Sequence, residues 1–137
     1  MVLDAIRVPA REVDNLKKLM PAGLRAFSRI AEQWELSAKQ RMTLLGASSS
    51  TYHKWMHDAS RAHPSRDTLE RISHVLGIYA ALKILLPNAK AANAWVHKPN
   101  AAPLFGGQTA LNRMLAGNVS DLYIVRQYLD AVRGGWS

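Results

Sequence analysis

His53 and His57 lie four residues apart, with His63 close behind. On a helix that spacing puts both imidazoles on one face, where they could share a metal ion. Their surroundings argue against it. No Glu joins them and the chain has no Cys, so the usual zinc partners are missing. A lack of cysteine also excludes disulfides and thiolate nucleophiles. The 10 acidic residues are scattered and form no obvious acid–base pair. Serines are frequent but fit no nucleophile-elbow pattern. Phe105-Gly106-Gly107 is not followed by Gly-Lys-Ser/Thr, so it is not a phosphate loop. The expectation is therefore no catalytic residue, no metal and no cofactor: a binding protein rather than an enzyme.

The charge points to what it binds. Eighteen Lys and Arg against 10 Asp and Glu give a net charge of +8 and a pI near 10.2 over 137 residues. Such an excess suits nucleic acid or an acidic protein partner. It is shared by both halves of the chain rather than gathered in a tail. Residues 38–57 fit a helix–turn–helix. Gly46 supplies the turn, where a Cβ would be penalised. Leu45 and Ala47 flank it as inward residues, and Tyr52 and Trp55 fall on the inner face of the second helix. Ser48, Ser49, Ser50, Thr51, His53 and Lys54 are left at its start or outward, suited to phosphate contacts. Arg41 joins them as a DNA-binding candidate, and Lys39 and Arg61 add nearby charge. The same spacing also fits a small bundle with a serine-rich turn. Met42 stands where such motifs usually place alanine, and serines discriminate bases poorly.

The elements that must position these residues are helical almost throughout. Leu24, Phe27, Ile30, Ala31 and Trp34 form one apolar face. Ser37 should cap the next helix, which Gly46 stops, and Ser48 or Ser49 the one after. Residues 57–65 read as a polar loop. Leu69, Ile72, Val75, Leu76, Tyr79 and Leu82 mark the clearest helix, ended by Pro87. Asn88 caps another, through Trp95. After a Pro/Gly loop at 98–108, two helices follow at about 109–116 and 120–133, the second capped by Ser120. Val13, Leu16 and Leu19 could form a short stripe ahead of all these. His74 lies beside the long helix's core stripe and reads as structural. Trp55 and Leu69 should be buried together.

On the last helix Leu122, Val125, Leu129 and Val132 make the core stripe. Tyr123, Ile124 and Tyr128 lie largely off it, beside Arg126, and suit a protein interface. Arg133, Gly134, Gly135 and Trp136 form a tail whose glycines permit a turn and whose tryptophan could fill a concave site. The first ten residues contain no apolar signal region, and Ile78–Leu86 is too short to span a bilayer. A cytoplasmic protein with no membrane partner is expected.

The C-terminal residues carry a more specific signal in combination. They run Trp95, Pro99-Asn100, Leu104-Phe105-Gly106-Gly107, Ala110-Leu111, Leu115, Gly117, Val125-Arg126, Tyr128-Leu129 and Arg133-Gly134-Gly135. This segment resembles the toxin-binding domain of the Xre/MbcA/ParS antitoxins. The resemblance covers about residues 20–137, with the N-terminal unit similar to the Xre-type helix–turn–helix of that family. It implies an all-α protein: an N-terminal helix–turn–helix DNA-binding domain (1–66) continuous with a small C-terminal helical toxin-binding domain (67–137). It also implies a homodimeric type II antitoxin. The partners would be operator DNA and a cognate RES-domain toxin, which consumes NAD or transfers ADP-ribose from it. Tyr123, Ile124, Arg126, Tyr128 and the tail from Arg133 to Trp136 would then meet the toxin. The competing reading is a stand-alone DNA-binding regulator whose C-terminal unit only dimerises. A pure inhibitor without DNA binding is a third.

Overall fold

The computed structural model describes residue 18, residues 20–63 and residues 65–134. The expected Val13/Leu16/Leu19 stripe therefore lies outside the described residues, as do Gly135 and Trp136. Seven α-helices and no strand are found among the described residues, so the fold is all-α. They are α1 (Met20–Gln33), α2 (Ala38–Leu45), α3 (Ser49–His57), α4 (Arg66–Leu85), α5 (Ala89–Ala94), α6 (Ala110–Met114) and α7 (Val119–Gly134). Short 3-10 turns at Ala59–Arg61 and Trp95–His97 interrupt the loops. None of these helices is long and apolar enough to cross a membrane. The chain forms two compact units, residues 1–73 and 74–137, and the division falls inside α4.

In the first unit α1 buries Met20, Leu24, Phe27, Ile30 and Ala31 on one face. It ends with Glu35 in the left-handed region, φ 56°. There the Leu36 N–H donates to the Ala31 carbonyl and the Glu35 N–H to the Glu32 carbonyl, a Schellman closure with buried Leu36 beyond it. Ser37 then starts α2 with a capping box: its hydroxyl accepts from the Gln40 N–H, and the Gln40 side chain accepts from the Ser37 N–H. A second Schellman closure ends α2, through Gly46 N–H to the Thr43 carbonyl and Ala47 N–H to the Met42 carbonyl. Gly46 sits at φ 65°.

Two donors from α4 complete that end. Thr68 donates its buried hydroxyl to the Leu45 carbonyl at 3.0 Å, and Arg71 donates Nη1 to the Thr43 carbonyl at 3.2 Å. Asp67 orients Arg71 through its Nε at 2.7 Å. Trp55 is 8% exposed and Leu69 3%, so both enter the core as expected.

The second unit buries Val75, Ile78, Leu82, Val96, Phe105, Met114, Leu122, Val125 and Leu129. Val132, expected on the same stripe, is exposed instead. It lies in the last turn of α7, where Arg133 and Gly134 are exposed too. Helix α7 starts at Val119 rather than at a Ser120 cap. Asp121, in its first turn, reaches back so that its carboxylate accepts the Asn118 N–H, as the third residue of a capping box does. The loop before α6 closes on itself through an isolated bridge between Pro99 and Thr109.

Gly46→Ala should destabilise the first unit by about 1–2 kcal/mol from the left-handed backbone alone. Arg71 adds to the loss, because a Cβ at 46 would lie 2.8 Å from its Nε. Urea denaturation measures it; an unchanged midpoint would mean the turn has another conformation open to it.

Candidate DNA-binding and toxin-binding surfaces

Helix α3 starts where Ser48 leaves extended backbone and accepts the Thr51 N–H in its hydroxyl. The Ser48 hydroxyl also donates to Thr51 Oγ1 at 3.0 Å. Tyr52 and Trp55 anchor the inner side and are buried, while Ser49, Ser50, His53 and Lys54 are exposed. Thr51 is half-buried. Arg41 is set apart from this group by its bonding: half-buried, it donates Nε to the Leu36 carbonyl at 3.0 Å. Ser50, His53, Lys54 and His57 line an open concavity of about 660 Å³ together with Arg61 of the following turn. Its acid is Asp58. Hydrogen bonds from Ser60 hold that carboxyl below its ordinary value, with Arg61 at 3.3 Å assisting. A basic concavity beside an exposed helix start fits an anionic backbone. Among the described residues no group of three His, Asp or Glu side chains converges as a metal site. His53, His57 and His63 are all exposed.

The second surface is built on α7. Buried Leu122, Val125 and Leu129 fix its inner side. Tyr123, Ile124, Arg126 and Tyr128 are half-buried, and Arg133 and Gly134 are exposed. Each aromatic has a seat within the unit. Tyr128 meets the buried Phe105 ring edge-on at 5.3 Å, and Phe105 meets Trp95 at 6.0 Å. The Phe105-Gly106-Gly107 turn therefore delivers a core side chain. Tyr123 meets the His74 ring edge-on at 5.7 Å. Arg113 ties the loop to α7: Nε donates to Asp121 at 3.0 Å and Nη1 to the Leu104 carbonyl at 3.3 Å. Sequence alone carried no signal for Arg113 and Asp121, which tie the loop to α7 without standing in any motif.

His74 is 6% exposed. Burial, and then the charge of Arg126, push its imidazole down to about 4.

Two helical units, one holding a helix–turn–helix and the other an aromatic-bearing terminal helix, define a two-part binding protein. The comparisons agree. The antitoxin Xre-like helix-turn-helix domain family matches residues 21–77. The antitoxin Xre/MbcA/ParS C-terminal toxin-binding domain family matches residues 81–135. A protein of Sinorhizobium fredii (strain NBRC 101917 / NGR234), named uncharacterized protein y4oB, is 49% identical over 117 residues. That alignment covers 85% of this chain and 88% of the relative. The chain belongs to the Xre/MbcA/ParS antitoxin family.

Because His74 is depressed from 6.5 to about 4 on folding, the fold favours its neutral ring. The stability this carries is complete above about pH 6.5 and is lost as pH falls toward 4. The melting temperature should therefore fall more steeply over that range for wild type than for His74→Phe. Parallel curves would remove His74 from the acid response.

Proposed function

We propose that this antitoxin neutralises a RES-domain toxin that consumes NAD or transfers ADP-ribose. We further propose that it acts in the cytoplasm as a homodimer repressing its own operon. The match of residues 81–135 to a toxin-binding domain carries the reading. The C-terminal unit, with Tyr123, Ile124, Arg126 and Tyr128 and the tail from Arg133 through Gly134 and Gly135 to Trp136, would dock on the toxin. The enzyme chemistry would be the toxin's. The N-terminal unit would read the operator, with Ser48, Ser49, Ser50, Thr51, His53 and Lys54 at the groove. The exposure of Ser49, Ser50, His53 and Lys54 supports that assignment. Arg41 would contribute charge from the preceding helix, in so far as its bond to Leu36 permits.

Co-expression with the toxin encoded in the same operon tests the first half. Wild-type protein should restore growth. Deleting residues 133–137 should leave operator binding intact and release the toxin; full inhibition by the truncated protein would move inhibition to the body of α7. The second half is tested by fluorescence anisotropy on promoter DNA. Lys54→Ala should weaken binding across all sequences and lower the salt slope by about one. The side chain is exposed, so the melting temperature should not move. An unchanged salt slope would take Lys54 off the phosphates.

A further inference from the structure

Gly77 stands in the middle of α4, where glycine is a poor helix former and its presence asks for a reason. The reason is the side chain above it. A Cβ at 77 would lie 2.4 Å from Arg126 Nε and 2.6 Å from its Cζ. Arg126 of α7 thus lies against bare backbone of α4. Its Nη1 is 3.4 Å from His74 Nδ1, one turn before Gly77. A guanidinium can only donate, so Nδ1 accepts and the ring proton sits on Nε2. That Nε2 is buried with no hydrogen-bond partner among the described residues. Tyr123 closes the other side of the same imidazole. On its outer side Arg126 approaches Asp130 at 3.8 Å, and Arg133 approaches the same carboxylate at 3.8 Å. Two arginines thus flank one aspartate on this strip of α7. The Arg126 side chain is 35% exposed.

We propose that His74 and Gly77 are positioning residues for Arg126, and that the guanidinium they hold docks on a carboxylate of the toxin. This rests on the reading that the C-terminal unit binds a toxin. It adds two residues of α4 that no motif singled out, and the partner's chemistry at that point. The planar guanidinium suits a carboxylate in a two-pronged contact, whereas an ammonium would supply charge alone.

The test uses the full-length protein and a catalytically inactive form of the toxin from the same operon, titrated calorimetrically. Arg126→Ala and Arg126→Lys should each weaken the complex at least tenfold. Gly77→Ala should do the same, while its melting temperature stays at or above wild type, because alanine favours the helix and the flexible arginine swings aside. The double variant Gly77→Ala/Arg126→Ala should bind no more weakly than Arg126→Ala alone. His74→Phe keeps a ring against Tyr123 but removes the acceptor, and should also weaken binding; it carries the test should Gly77→Ala fail to fold. Wild-type affinity in Arg126→Ala, or in folded Gly77→Ala, would overturn the proposal while leaving the toxin reading in place. A wild-type protein that does not bind the toxin would overturn both.

Discussion

Helix α2 ends in carbonyl groups that its own backbone cannot satisfy, and the first unit is organised around closing them. Backbone N–H groups of Gly46 and Ala47 meet the Thr43 and Met42 carbonyls, and Thr68 and Arg71 reach from α4 to the Leu45 and Thr43 carbonyls. Each bond alone contributes about 1 kcal/mol, but a buried carbonyl left open costs about 1–3. The constraint is thus stronger than the attraction. It dictates a left-handed residue at 46, small enough for an arginine to lie against it. It also fixes the direction in which the chain leaves α2, so Ser48 begins α3 with its exposed face set by the buried Tyr52 and Trp55.

The C-terminal unit solves a similar problem with charge. Asp121 is 7% exposed at the start of α7, where an anion is favoured by the helix dipole. It caps the Asn118 N–H with one oxygen and takes Arg113 on the other. Arg113 in turn holds the Leu104 carbonyl, next to Phe105. One ion pair therefore sets α7's starting point and the loop that supplies the ring under Tyr128. Removing Arg113 would leave the buried Asp121 carboxylate without its cation, which costs more than the pair itself contributes.

The parts of this fold that were legible in the sequence are those whose cause is local. Ser37, Ser48 and Asn88 cap helices through groups three residues away, and Gly46 ends one by its own backbone freedom. Hidden features have causes distant in the chain or of the wrong residue type. Glu35 occupies a left-handed position that composition would assign to glycine or asparagine. Ser120 looked like a cap because it precedes an apolar stripe, yet the helix already begins at Val119, and Asp121 reaches back to the Asn118 N–H. Arg41 looked like free charge, and its guanidinium is bonded to backbone. The α7 aromatics were read as off the core stripe; they are half-buried because Phe105 and His74, remote in sequence, lie beside them. The serines and Lys54 of α3 were legible for the opposite reason: an exposed face needs no distant partner to define it.

The arginines differ in what surrounds them. Arg71 and Arg113 are structural cations, each donating to a main-chain carbonyl and an aspartate. Their charge is neutralised within the fold and offers little to a partner. Lys54 and Arg61 line an open concavity, in which Arg61 pairs with Asp58 at 3.3 Å. Arg126 and Arg133 divide one aspartate between them. Lys54 and Arg61 belong to the residues matched to the helix-turn-helix family, and Arg126 and Arg133 to those matched to the toxin-binding family. Net charge alone could not separate a nucleic-acid partner from an acidic protein. The two proposed partners would differ in what they ask of a cation. A phosphate backbone accepts mobile, exposed side chains and loses affinity with salt. A protein carboxylate rewards a guanidinium whose orientation is fixed before contact, because less freedom is then lost on binding. Under the proposed function the exposed Lys54 would answer to the first demand, and Arg126, packed against Gly77 and His74, to the second.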